Sequence, residues 1–279
     1  MAHLIQNRQR HILPGFGLNM GVMLFFVGLL IVLPLAALFM HTTNISWSKF
    51  VDIAQDERVQ SALKLSFSSA IIAALINLFA GIMVAWVLVR YDFIGRRLFD
   101  SLIDFPFALP TAVAGMTLAS LYDHNGWLGG LLKSVGIQVV QTQVGIVLAL
   151  VFIGFPFVVR SVQPVLADMN QEIEQAAKSL GANSRQFFWR IVLPTILPAA
   201  LTGFSLALAR GIGEYGSVIF IAGNIPYVSE IAPLLVAIRV DEESGYESAA
   251  VIAILMMIIA FILLLLGNIL QRWTRFYQK

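Results

Sequence analysis

The chain has 279 residues, 58% of them hydrophobic and only 12% charged, and its mean hydropathy is +0.83; soluble domains carry about 25% charged residues, so a soluble globular protein is excluded and an integral membrane protein is indicated. The absence of cysteine excludes disulfides, thiolate metal sites and cysteine nucleophiles. A net charge of +2 and a pI near 9.0 are explained by basic loops flanking a membrane, and nucleic acid is discarded as a partner.

A helix needs about 20 apolar residues to cross roughly 30 Å of hydrocarbon, and such runs place six spans at about 17–40, 63–89, 103–122, 143–163, 194–222 and 248–270. The predicted fold is all-α: one polytopic membrane domain over 1–279, in contact with the lipid bilayer. The first run follows Arg8 and Arg10, contains Pro34, is too long for a signal peptide and ends without a small-x-small cleavage site, so it reads as a retained helix. At the start of the third, Pro106 and Pro110 stand four residues apart, predicting a bend that frees carbonyls near Thr111 and Thr117. A kink that serves packing, with no ligand contact, is the other reading of those prolines.

Between the fourth and fifth spans lies a polar stretch. Val165, Leu166, Met169, Ile173, Ala176, Ala177 and Leu180 recur at steps of three and four, which predicts one apolar face on a short helix. Asp168 or Asn170 offers an N-cap, and Gly181 suits the left-handed position that ends a helix. A second short helix is predicted from Asn183 or Ser184 through Phe187, Phe188 and Trp189 to Pro194. Ala176, Ala177 and Gly181 would let a partner approach closely, so the segment reads as a docking helix for a soluble partner; an ordinary inter-helix loop is the bland alternative.

In the fifth span, Arg210 lies about 16 residues in, near mid-membrane, with Glu214 one turn further on and Gly211, Gly213 and Gly216 around it. Two readings stay open: a neutralised Arg210–Glu214 pair that fixes packing, or an Arg210 that lends positive potential to an anion path beside a mobile break at Glu214.

Orientation follows from the basic residues. With the N-terminus inside, Arg8, Arg10, Arg90, Arg96, Arg97, Arg160, Lys178, Arg185, Arg190, Arg272, Arg275 and Lys279 fall on the cytoplasmic side, against Lys49, Arg58, Lys64, Lys133 and Arg239 outside. The last outer loop is acidic, with Glu230, Asp241, Glu242, Glu243 and Glu247. Both termini and the segment 164–193 are therefore expected in the cytoplasm.

The string Glu174-Gln175-Ala176-Ala177-Lys178-Ser179-Leu180-Gly181, followed after nine residues by Ile191-Val192-Leu193-Pro194, resembles the signature of the membrane subunits of bacterial ABC importers, Glu-Ala-Ala, three residues, Gly, nine residues, Ile-x-Leu-Pro. Gln175 departs from the usual Glu, with Glu174 one place earlier. Leu13-Pro14-Gly15-Phe16, the 104–115 string Asp-Phe-Pro-Phe-Ala-Leu-Pro-Thr-Ala-Val-Ala-Gly, the 156–164 string and the 213–224 string look like the T-type permease subunit of sulfate/thiosulfate importers. That resemblance implies a bacterial inner-membrane permease in a heterodimer with a W-type permease subunit, two copies of a cytoplasmic ATPase that bind ATP and Mg, and a periplasmic sulfate- or thiosulfate-binding protein. It also implies that Glu174, Gln175, Ala176, Ala177, Gly181, Ile191, Leu193 and Pro194 form the ATPase-docking segment.

No phosphate-binding loop is present, since Gly130-Leu131-Leu132-Lys133-Ser134 has Leu before its Lys, so no cofactor and no enzymatic role is expected in this chain and ATP is left to another subunit. His3, His11, His41 and His124 are scattered without metal-ligand spacing, so no metal is expected. A secondary carrier would show internal repeats with paired intramembrane carboxylates, and a membrane enzyme a catalytic constellation; neither pattern is found. The expectation is an oxyanion permease for sulfate or thiosulfate, with a molybdate or tungstate permease as the alternative. Pathway candidates are Arg210, Glu214, Pro106, Pro110 and Thr111.

Overall fold

A computed structural model describes residues 16–43, 45–242 and 245–276. His3, Arg8, Arg10, His11, Leu13, Pro14, Gly15, Glu243 and Lys279 lie outside the described residues.

α1 (Phe16–Val27) runs through a π-helical turn at Gly28–Val32 into α2 (Leu33–Thr43), giving one apolar rod. The turn ends beside Pro34, whose ring has no N–H and crowds the carbonyl four residues back; the Leu33 N–H reaches instead to the Gly28 carbonyl. α3 (Trp47–Gln55) is capped by Ser46, and α4 (Glu57–Arg90) by Asp56, whose carboxylate accepts from the Arg58 and Val59 N–H groups at 2.8 and 3.1 Å.

The third predicted span is not one helix. α5 (Arg96–Ile103) and the single turn α6 (Phe105–Ala108) precede a break at Leu109–Pro110, and only then does α7 (Thr111–Tyr122) begin. Leu109 is extended because the residue before proline is driven out of the helical region, and Pro110 starts the next helix where its missing N–H costs nothing. The predicted bend is thus a full interruption, leaving five long apolar helices and one shorter one, Thr111–Tyr122, among the described residues.

After α8 (Trp127–Ser134) comes α9 (Gln143–Ala167), followed by the short pair α10 (Gln171–Ser179) and α11 (Ser184–Phe187). A second π-helical turn, Phe188–Val192, leads into α12 (Leu193–Ile212). It too stands beside a proline, Pro194, and the Leu193 N–H reaches back to Phe188. The fifth span stops at Ile212, ten residues before its expected end at 222, because Gly213 terminates the helix; α13 (Val218–Ala222) resumes as a separate turn. α14 (Ala232–Asp241) and α15 (Tyr246–Phe276) complete the chain.

α4, α9 and α12 form the packed centre. Their contact surfaces are built from small residues, among them Ala70, Ala73, Ala74, Ala149, Ala200 and Ala207, and Gly81 and Gly203 both sit against Val158. In lipid no hydrophobic force presses helices together, so close van der Waals approach supplies the association. Asn77 is buried in this centre, fitted against Gly154, and its amide has no hydrogen-bond partner among the described residues.

Charged contacts gather at the two ends. At one end Arg90 meets Glu174 and Arg160 meets Asp100 and Asp104; at the other Arg58 holds Glu230, Lys49 meets Glu247 and Arg239 meets Glu242. The Arg210–Glu214 pair lies between these two groups.

Candidate functional site

The polar segment folds as a helix, a glycine turn and a helix. Asn170 caps α10 by accepting from the Glu172 N–H at 2.9 Å, while Glu172 and Glu174 place negative charge in the first turn, where the helix dipole favours it. Gly181 adopts φ of 81°, and the Ala182 and Gly181 N–H groups bond the carbonyls of Ala177 and Lys178, both at 3.0 Å. This is the glycine-terminated closure that satisfies the last carbonyls of a helix. Asn183 and Gln186 cap α11 reciprocally.

The apolar face expected for this segment needs correction. Val165 and Leu166 belong to α9, and the Asp168–Asn170 interruption resets the helical phase before α10. Ile173 and Leu180 are therefore exposed, Leu180 at 88%. Ala177 is 7% exposed and faces the chain's own α4, lining a hollow of about 540 Å³ with Trp86, Arg90, Tyr91 and Phe187. Its small side chain lets α10 lie close to α4 and is not part of a surface offered outward. Gln175, Ala176, Leu180 and Gly181 are exposed together. Glu174 turns inward to Arg90, 3.2 Å away, with Lys178 at 3.0 Å. Leu193 packs into the cluster of α4, α9 and α12, Ile191 is half-buried, and Pro194 is exposed.

The second constellation surrounds the end of α12. Arg210 forms an ion pair with Glu214 at 2.5 Å, and the Glu214 side chain is only 1% exposed. Its other oxygen accepts from both the N–H and the hydroxyl of Ser217 at 3.0 Å. The carboxylate thereby closes the interrupted backbone of residues 213–217 on itself. Thr111 abuts Gly216, and Gly115 lies so close to the Ser217 backbone that a methyl group there would collide with it. The two interrupted helices therefore meet at their breaks, which brings together Arg210, Glu214 and Thr111, with Pro110 at the start of α7. Pro106 stands apart, in an apolar hollow of about 340 Å³ with Leu88, Ile103 and Phe155.

Three contributors escape a reading by motif. Ser217 lies within the 213–224 string and Arg160 within the 156–164 string with no role assigned to either, and Arg90 counts only toward the orientation. Arg160 donates to Asp104 at 2.6 and 2.8 Å, to Asp100 at 2.7 Å and to Gln163 at 2.6 Å, pinning α5 to α9. The hydrogen bond from Gln163 and then that from Arg160 hold the Asp100 carboxyl below its ordinary value of 3.8, against the opposing effect of burial. The spacing of Asp100 and Asp104, one helical turn apart, is the sequence signal that could have pointed to Arg160.

Taken together, an all-α chain with several helices long and apolar enough to cross a membrane, two of its expected spans interrupted and a polar helix pair between spans, has the build of a transport membrane component. Residues 77–276 match the family described as binding-protein-dependent transport system inner membrane component, and the chain belongs to that family. It is 48% identical over 245 residues to the probable sulfate transport system permease protein cysT of Nephroselmis olivacea, covering 88% of this chain and 86% of the relative. Against the sulfate transport system permease protein CysT of Salmonella typhimurium the identity is 44% over 270 residues, covering 97% and 96%. Among solved structures, a chain of a bacterial ABC transporter that imports the acidic polysaccharide alginate superposes with a TM-score of 0.75 at 15% identity, covering 92% of this chain and 94% of that one. A chain of the inward-facing methionine transporter MetNI gives 0.54 at 15% identity, covering 77% and 94%. These two likenesses bear on the fold.

Proposed function

We propose that this chain is a permease subunit of an ATP-driven importer for sulfate or thiosulfate, lining the pathway with a paralogous permease. The observation that carries the reading is 44% identity across 97% of the chain to a protein named as a sulfate permease. ATP is bound and hydrolysed by two copies of a cytoplasmic ATPase that dock on residues 170–194, and a periplasmic binding protein delivers the anion. The exposed face of Gln175, Ala176, Leu180 and Gly181 is what the ATPase receives. Closure of the ATPase pair displaces this segment and tips the spans between outward and inward access, a two-state equilibrium biased from both sites. With the basic ends inside, both termini are cytoplasmic.

Reconstitution of the complex in proteoliposomes tests the proposal. ATP hydrolysis should be stimulated by binding protein loaded with sulfate or thiosulfate, and anion uptake should cease when the ATPase is omitted. Stimulation by molybdate in place of sulfate would reassign the substrate, and uptake without the ATPase would make the chain a carrier of another class.

A further inference from the structure

Glu174 and Gln175 serve different surfaces. Neighbouring residues on an α-helix are rotated by about 100°, so with Gln175 facing solvent the Glu174 carboxylate is turned toward α4. One of its oxygens accepts from Arg90 at 3.2 Å, and the other lies 3.0 Å from Lys178. Arg90 is the last residue of α4, and only 18% of its side chain is exposed. Its guanidinium lies 5.3 Å from the centre of the Trp86 ring and 3.5 Å from the sulfur of Met169. Trp86 in turn meets Phe188 edge-on, with ring centres 5.6 Å apart. Arg90 is therefore tied to the entry of the segment through Met169, to α10 through Glu174, and to the exit through Trp86 and Phe188.

The other end of the same helix carries a matching arrangement. Arg58 donates to Glu230 through two nitrogens at 2.8 and 2.7 Å, and the Ser66 hydroxyl accepts from the Ala232 N–H at 2.7 Å. Glu230 is 2% exposed. α4 spans 34 residues, about 51 Å at 1.5 Å per residue, so one unbroken rod is clamped by an arginine to the polar segment at one end and to the 223–231 loop at the other.

We infer that α4 is the transmission rod of the transporter, with Arg90 and Glu174 as the positioning pair that transfers displacement of the 170–193 segment to it and Arg58 with Glu230 as the clamp at the far loop. The inference rests on the docking reading given above. A charge-assisted link between side chains only 18% and 31% exposed holds in both directions of displacement. α4 shares its packed surface with α9 and α12, so its movement is that of the centre of the bundle.

Proteoliposomes holding the complex with its partner permease and ATPase, supplied with loaded binding protein, read ATP hydrolysed and sulfate taken up together. Arg90→Gln and Glu174→Gln are each expected to keep the ATPase in the complex while raising ATP consumed per sulfate at least about fivefold, the low end of coupling between distant sites. Arg90→Lys recovers part of the coupling, and the double variant is no worse than either single one, because both changes remove one link. Arg58→Gln combined with Glu230→Gln, which removes the clamp without leaving a buried charge unpaired, is expected to keep basal hydrolysis and lose its stimulation by loaded binding protein. An unchanged ratio in either single variant, additive losses in the Arg90→Gln, Glu174→Gln double, or full stimulation of the Arg58→Gln, Glu230→Gln double overturns the inference. Loss of the ATPase from Glu174→Gln but not from Arg90→Gln makes Glu174 a partner contact, which overturns the rod's coupling pair and leaves docking intact. Normal association and coupling in Leu180→Asp, on the outward face, removes the docking reading itself and the inference with it.

Discussion

Glu214 is held on both oxygens: Arg210 pairs with one, and the N–H and hydroxyl of Ser217 donate to the other. A carboxylate so occupied organises the break in the fifth span. Of the two readings open for Arg210, the pairing is what the geometry displays, and the question that remains experimental is whether the 37% of its side chain left exposed also attracts the anion. Arg210→Ala leaves a buried charge unpaired, a change that costs about 3 kcal/mol or more when such a pair is broken. The expected outcome is a clear fall in assembled complex, with assembly restored by adding Glu214→Gln. Uptake by that double variant decides the path: full transport takes Arg210 out of it, and assembly without transport keeps it in. The pair itself was legible in the sequence from its four-residue spacing, which holds even though Glu214 stands two residues past the end of α12. Ser217 was not, because it lies further into the interruption, where helical spacing no longer says which groups meet.

At the scale of elements, Gly115 of α7 lies close against the backbone of residue 217 in the interrupted region. Gly115→Val should reduce the yield of folded protein and lower stability by about 1–3 kcal/mol, as overpacking does elsewhere, because the side chain would drive into backbone that cannot rotate away. Thr117→Val, on the exposed side of the same helix, loses only a local hydroxyl bond to Val113 and should melt like the parent protein in detergent. Hydropathy revealed the second, fourth and sixth spans because they are unbroken apolar runs. It missed the interruption of the third and the early end of the fifth because it weighs side chains and is blind to the missing N–H of Pro110 and the termination at Gly213. The caps at Asn170 and Gly181 were readable, since each depends on one residue's own chemistry. The exposed face of α10 was not, because the apolar spacing was counted straight across an interruption that belongs to two different helices.

Across the whole molecule, the ion pairs among the described residues, Arg210–Glu214 apart, sort to the two ends that the count of basic residues separates, and this pattern sets up a direct test of sidedness. The chain has no cysteine, so single thiols report without background. Ser48→Cys should be labelled by a membrane-impermeant maleimide from outside intact cells, and Ser184→Cys only after the membrane is opened; both positions are exposed. The reverse pattern would invert the topology. The small-residue centre of α4, α9 and α12 carries a different consequence. Separating these helices within a bilayer trades packed surface for acyl chains and not for water, so the heat-capacity increment that curves the stability of soluble domains is largely missing. The stability of this bundle accordingly varies little with cooling and strongly with how well the surrounding lipid chains fill the grooves that its alanines and glycines leave when they part.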